Sequence, residues 1–236
     1  MNSHLGFKIV RFNQDSLSQN PLQKNDLLDF YCHLWMYDPN FAEYRRCPIC
    51  RKFYSQQEVE VQGIRSCSGI KTPHPLSNLE IGWTPEIVQK DLDPQLLMGK
   101  DFFGALAVIQ SSNQVVGFVW GYAIDFSQLS KKWAPSLIEK INQLIPCQKV
   151  AYFQEIGSDP NLRGYGIGSA LCKSLVSWMK TNYPDIPSML HTHESSPAYR
   201  LFYKSGYRIF GRTDQINPGR IFMASSLSSL LTPENL

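Results

Sequence analysis

Two stretches of the chain combine residue types at spacings that can do chemistry. In the first, Glu155 to Gly168, a strand-like segment ends and the chain turns at Asp159 and Pro160. Gly164, Gly166 and Gly168 then lead into the run Ser169 to Trp178. Ile167, Ala170, Leu171, Leu175 and Trp178 share one face of that run, so it reads as a helix. Glycines let backbone come close to a bulky anion, and the N–H groups and positive dipole end of a helix start favour negative charge. With Arg163 beside it, the turn suits a pyrophosphate. Glycines can also be mere turn punctuation; the strand before, the helix after and the arginine between weigh against that.

The second stretch holds Cys47 and Cys50, then Cys67 after 16 intervening residues and His74 after six more. A C-x-x-C turn presents two thiolates together, and a distant Cys and His can close a tetrahedral Zn²⁺ site. Four protein ligands leave no open position, so such a zinc would be structural. An unmetallated pair is the alternative, and Cys32 or His33 are substitutes for His74. A thioredoxin-type redox pair needs a strand leading into a helix, which the surroundings do not offer. From Tyr44 to Lys71, six basic residues face two acidic ones. That excess either offsets the negative charge of thiolates around zinc or marks a nucleic-acid contact through interleaved Phe53 and Tyr54. The first account is preferred.

Other phosphate loops are excluded by spacing. A P-loop ends Gly-Lys-Ser/Thr, whereas this turn runs Gly168, Ser169, Ala170. A dinucleotide-binding Rossmann turn follows the first strand of a parallel repeat, but here two antiparallel strands come earlier. His191 and His193 share one face of the strand Met189 to His193, because alternate residues point the same way.

The elements that must position these groups follow from periodicity. Gly6 to Phe12 reads as a strand. Leu27, Phe30, Tyr31, Leu34 and Trp35 make one face of a helix opened by Asn25 or Asp26 and stopped by Asp38 and Pro39. From Phe41 to about Gly82 both periods are lost, so this stretch reads as an insert. Pro85 to Met98 is a short helix with proline at its first position. Phe102 to Gln110 and Val115 to Ile124 form a hairpin across Ser111, Ser112 and Asn113. Ser136 to Glu139 is a capping box opening a further helix. A strand (Val150 to Gly157), helix (Gly166 to Lys180), strand, helix (Ala198 to Lys204) and final β pair (Tyr207 to Arg212, Arg220 to Ser225) follow. That order describes an α+β domain around a mixed sheet.

At Arg163, Gly166 and Gly168 the sequence resembles the GNAT superfamily of acyl-CoA N-acyltransferases, whose signature is Gln or Arg, two residues, Gly, one residue, Gly or Ala. Ser195 to Tyr207, with Ala198, Leu201, Lys204 and Gly206, is similar to the family's Asn-x-x-Ala-x-x-Leu-Tyr-x-Lys-x-Gly-Phe segment. The resemblance covers about residues 83 to 225. It implies a GNAT-like fold, a central mixed sheet flanked by helices, with the small Cys-rich insert added. The division is then 1–40 for the first strand and helix, 41–82 for the insert, 83–228 for the acetyltransferase core and 229–236 for a tail.

The resemblance also implies chemistry. The pyrophosphate of acetyl-CoA would sit on N–H groups of Arg163, Gly164, Tyr165, Gly166, Ile167, Gly168 and Ser169. The pantetheine arm would pair with the strand end Glu155, Ile156, Gly157 and Ser158, and Ser195 stands where the family has Asn. A primary amine that has lost its proton attacks the thioester, so a base and an acid are needed. Glu155 is the expected base, with His193 as base or relay. For the acid the family uses a Tyr four residues before the closing Gly; Phe202 stands there, and Tyr203 is displaced by one. These departures keep a non-catalytic acyl-CoA sensor open as the alternative, beside a zinc-anchored interaction module.

Composition sets the outer limits. The chain has 236 residues, 43% hydrophobic and 18% charged, with a formal net charge of +3. Disorder of the whole chain is excluded. No apolar run approaches the ~18 residues of a membrane span, and the start lacks a signal-peptide core. The expected setting is cytoplasmic, and the expected partners are acetyl-CoA and an amine of small-molecule or peptide type. Nucleic acid is not expected, and monomer and homodimer both stay open.

Overall fold

The computed structural model describes residues 6–37, 43–69, 73–129, 139, 148–212 and 219–225. The chain opens with β1 (Phe7–Phe12), α1 (Gln14–Gln19) and α2 (Pro21–Tyr37). The insert follows as β2 (Arg45–Arg46), β3 (Phe53–Tyr54), a π-helical turn at Gln57–Val61, β4 (Ser66–Cys67), β5 (Ser77–Asn78) and β6 (Glu80–Ile81). Then come α3 (Pro85–Leu96), β7 (Phe102–Ile109), β8 (Val115–Asp125), α4 (Phe126–Leu129), β9 (Lys149–Ser158) and α5 (Ile167–Asn182). β10 (Ser188–His193), α6 (Pro197–Lys204), β11 (Arg208–Arg212) and β12 (Arg220–Ala224) complete it. None of these helices is long and apolar enough to cross a membrane.

Seven strands form one sheet in the order β1-β7-β8-β9-β10-β12-β11. Neighbours are antiparallel except β9 and β10, which run parallel. Both faces of this sheet are covered, as the unbroken apolar runs of β7 and β8 require. On one face Ala105, Ala107, Val119, Phe153 and Leu190 pack under Ile167, Leu171 and Leu175 of α5 and Phe202 of α6. On the other, Phe12, Leu106, Phe118 and Trp120 pack under Leu27, Tyr31 and Leu34 of α2 and Val88 and Leu92 of α3. The insert keeps its own small sheets, β3-β2-β6 and β4-β5.

The sequence places α2 correctly but starts it too late. Asn20 Oδ1 accepts the Gln23 N–H at 3.2 Å, so the helix begins at Pro21 rather than near Asn25. α1 is an unexpected extra turn, held by a capping box between Asn13 and Ser16. Apart from Glu139, the helix expected after Ser136 lies outside the described residues, as do Asp38, Pro39 and the tail 229–236.

Phe202 is 2% exposed and meets Phe153 edge-on at 4.8 Å and Tyr207 at 5.5 Å. Its ring joins α6 to the sheet where the two parallel strands meet. Phe202→Ala is expected to cost about 3–5 kcal/mol, the range for aromatic truncation in a packed core. A shift in the denaturant midpoint without a change in slope is the check.

Candidate functional site

The cleft is made by two strands that part. β9 and β10 pair only at Ala151 with Ser188 and Tyr152 with Met189, after which β9 runs on to Ser158 with β8 as its ladder partner. Between Trp120, which faces Glu155, and Gly121, which faces Phe153, the register shifts, and Gln154 is the extra residue. Such a bulge bends the strand and re-aims the side chain after it. Here that side chain is Glu155, which comes to share the face of Trp120 on the α2 and α3 side.

Glu155 is half-buried, and Gln154 Nε2 donates to its Oε1 at 3.3 Å, while Gln154 Oε1 accepts from the Tyr122 hydroxyl at 2.7 Å. Burial raises the Glu155 pKa to about 8. The Gln154 hydrogen bond and Arg220 oppose the shift, and the charges of Glu43 and Asp91 add to it. The Tyr31 and Tyr152 hydroxyls are themselves held well above their ordinary range by burial, with Glu155 contributing to both. Tyr152 shares a 2.7 Å hydrogen bond with His191 Nδ1. Burial, then Arg220, pushes His191 down to about 4, so this histidine is neutral at physiological pH. His193, at the exposed end of β10, instead accepts the Ser195 N–H at 3.2 Å, with the Ser195 hydroxyl 2.7 Å from the same Nδ1. Glu155 thus lies among acidic and aromatic side chains, with Arg220 as the opposing cation, a setting that favours a positively charged group over an anion.

Beyond Ser158 the chain makes the expected turn. Asp159 Oδ1 caps the Pro160–Leu162 turn by accepting the Asn161 N–H at 2.8 Å. Gly164 and Gly166 take φ of +91° and +84°, a region other residues rarely adopt, and Gly166 is the N-cap of α5 with no side-chain cap. The Ala170 N–H bonds the Gly166 carbonyl at 2.9 Å. The N–H groups of Ile167, Gly168 and Ser169 precede that bond, as the leading donors of any helix do. Arg163, Gly164, Tyr165, Gly166 and Ser169 are exposed, and Ile167 is the buried anchor. Leu201 of α6 approaches Gly168 from the side: a Cβ there would lie 3.9 Å from Leu201 Cδ2 and from Ser158 Oγ.

α6 therefore shows its Leu201 side to the glycine turn and its Phe202 side to the core. Tyr203 is 49% exposed, with the Arg208 guanidinium 4.5 Å above its ring. A register shift that would bring Tyr203 to the place of Phe202 has not occurred, because the buried aromatic cluster fixes the helix rotation.

A cavity of about 630 Å³ opens between α2, the β7–β8 turn and Asp159–Asn161. Asp26, Asp29 and Asp159 line it. Three carboxylates repel a pyrophosphate, so this space does not compete with the turn for that ligand.

In the insert, Cys47, Cys50, Cys67 and His74 converge, their ligand atoms all within 4.8 Å of one another. Cys32, a substitute at the sequence level, is instead a buried residue of α2 in the core of the main domain. Lys71 lies outside the described residues; the other five basic residues of the insert find partners within it. Arg46 and Arg51 pair with Glu80, Arg45 and Lys52 cover the rings of Tyr44 and Tyr54, and Arg65 donates to the Val59 carbonyl.

No pattern in the sequence marks Tyr31, Tyr122, Tyr152 or Gln154 as parts of the site, and His191 is marked only by sharing a strand face with His193. Alternation along β8 and β9 was the available signal, and the bulge at Gln154 breaks it.

Among solved structures, NAA60 from Arabidopsis thaliana in complex with acetyl-CoA aligns with a TM-score of 0.50 at 14% identity, covering 93% of this chain and 97% of that one. An apo Ser-to-Ala variant of agmatine N-acetyltransferase gives 0.50 at 14%, over 92% of this chain and 97% of that one. At such identities the likeness is one of fold, and the shared fold is the mixed sheet with helices on both faces expected of a GNAT-like chain. No curated protein matches the sequence. The sequence profile of the acetyltransferase (GNAT) family matches residues 75–207, more than half of the chain and inclusive of β9, the glycine turn and α6, and the chain belongs to that family.

Proposed function

We propose that the protein transfers an acetyl group from acetyl-CoA to a primary amine by direct attack. The supporting observation is the place of Glu155, a carboxylate of raised pKa on β9 where that strand leaves β10, one turn ahead of the glycine-capped start of α5. In this reading the pyrophosphate rests on the N–H groups from Arg163 to Ser169. The pantetheine arm lies along Ile156, Gly157 and Ser158, toward Ser195. The thioester carbonyl takes a hydrogen bond from a backbone N–H near Ile156.

Glu155, directly or through a water, takes the proton of the ammonium, and the freed nitrogen pair attacks the thioester carbon. The carbon–sulfur bond then breaks to leave the acetylated amine and CoA thiolate. Phe202 has no proton to give. A thiolate with an ordinary pKa of about 8.5 takes its proton from solvent, with Tyr203 the nearest hydroxyl in sequence. His193, paired with Ser195 at the exposed end of β10, is the proposed relay toward solvent. The cysteine–histidine cluster adds a structural Zn²⁺ to this reading, and its thiolate ligands suit a reducing compartment.

A screen of amines, amino acids, aminoglycosides and peptides for CoA release is the test. Release with at least one amine class is expected. Tight acetyl-CoA binding with no release for any class would favour an acyl-CoA sensor.

A further inference from the structure

The insert has no catalytic group of its own, yet its far end reaches the neighbourhood of Glu155. Three of the distances among its cysteine and histidine ligand atoms are those of a tetrahedral site. Two sulfurs each about 2.3 Å from a zinc ion lie about 3.8 Å apart, and a sulfur and an imidazole nitrogen about 3.6 Å. Cys50 and Cys67 Sγ are 3.8 Å apart. His74 Nε2 lies 3.4 Å from Cys47 Sγ and 3.5 Å from Cys67 Sγ.

Further partners complete the arrangement. His74 Nδ1 bonds the Pro75 carbonyl at 2.6 Å, which puts the proton on Nδ1 and leaves the Nε2 lone pair for a metal. The Cys50 N–H donates to Cys47 Sγ at 3.5 Å and the Gly69 N–H to Cys67 Sγ at 3.4 Å, bonds that stabilise thiolates. Arg51, with φ of +58°, closes the knuckle by donating its N–H to the Cys47 carbonyl at 3.1 Å.

From this knuckle a continuous set of contacts runs to the cleft. Phe53, on the strand after Arg51, stacks on Trp83 at 5.8 Å. Arg46 of β2 binds Glu80 of β6 at 2.7 Å, which holds the strand that delivers Trp83. Trp83 donates its indole N–H to Glu43 at 2.7 Å and meets the Tyr31 ring edge-on at 5.4 Å. A Cβ on Gly82 would overlap the Glu43 carbonyl oxygen, so the two segments lie in direct backbone contact. Tyr31 then stacks on Trp120, the residue opposite Glu155, at 5.6 Å.

We infer that Zn²⁺ held by Cys47, Cys50, Cys67 and His74 fastens Glu43 and Trp83 as the acceptor-side wall of the cleft, so that the metal governs amine binding and not acetyl-CoA binding. The inference rests on the reading of Glu155 as the base that receives the amine. The two-residue strands of the insert enclose only the small cluster of Cys47, Tyr54, Val59 and Cys67, and metal binding supplies folding energy to such a segment. The glycine turn joins β9 of the main sheet to α5, and the neighbours of Gly168 are Ser158 and Leu201, outside the insert.

The experiment uses the full chain, purified without added metal, before and after chelation under reducing conditions. About one Zn²⁺ per chain is expected. On its removal, amide exchange should rise across residues 43–54 and 80–83 and stay unchanged across 156–171. The KM for an amine found by the screen should rise about tenfold or more, acetyl-CoA affinity should hold, and added Zn²⁺ should restore both readouts. Trp83→Ala, which leaves all four ligands in place, should keep its zinc and raise the same KM. Less than about 0.2 Zn²⁺ per chain, with Cys47 and Cys50 readily alkylated in the native protein, overturns the metal site. Zinc present, with exchange at 43–54 and 80–83 unmoved by its removal, overturns the fastening. Absence of CoA release with every amine, while zinc and exchange behave as expected, overturns the acetyl-transfer reading instead and leaves the fastening supported.

Discussion

Glu155→Gln is expected to lower kcat by about 10²- to 10⁴-fold while acetyl-CoA affinity stays near wild type, the signature of a lost general base. The amide is nearly isosteric, so it keeps the neighbourhood of Gln154 while losing the ability to take a proton. The pH dependence gives an independent check. With its pKa raised to about 8, Glu155 is mostly protonated at neutral pH, so activity should climb with pH and level off above that value. In the variant this limb should vanish, leaving only the titration of the amine itself. Two amines of different basicity separate the contributions, since the Glu155 limb stays in place and the amine's moves. A variant with unchanged kcat would transfer the proton to His193 or water.

The same shift has a stability consequence of definite sign. The folded protein holds the Glu155 proton to higher pH than the unfolded chain, whose carboxyl keeps its ordinary value of 4.5. Its contribution is intact below that ordinary value and is lost as the pH rises through about 8.

Gly166→Asp should weaken acetyl-CoA by about 10²-fold or more, since two like charges about 4 Å apart repel by about 4 kcal/mol at a protein surface. Steric clash is not the cause, because nothing lies within 4 Å of a Cβ at this position. Backbone strain is not the main cause either: Asp and Asn tolerate left-handed φ better than other residues. Gly166→Asn is therefore the control, with the same shape and φ demand but no charge, and it should retain most of the affinity. Calorimetry that finds the Asp variant binding acetyl-CoA like wild type would place the pyrophosphate elsewhere.

What the sequence by itself determined is local. The glycine turn is legible because positive φ and helix-start N–H groups arise from consecutive residues, and Gly164 and Gly166 adopt the backbone that their lack of a Cβ allows. The C-x-x-C knuckle is legible for the same reason, and the apolar runs of β7 and β8 announce a sheet covered on both faces. Only the tertiary structure decided the rest, because each remaining feature depends on residues distant in the chain. The parting of β9 from β10 follows from how far two strands stay paired. The bulge at Gln154 turns Glu155 toward α2 and α3, and no period in the sequence reveals it. The raised pKa of Glu155 and the lowered one of His191 come from burial by other elements, and burial is a property of packing. Phe202 reads as a missing acid in the sequence and as a core residue in the fold, since the rotation of α6 is set by Phe153 and Tyr207. His74 is named as fourth ligand by spacing alone, but its meeting with the three cysteines depends on the pairing of β4 with β5, which brings the ligands from opposite ends of the insert to one point.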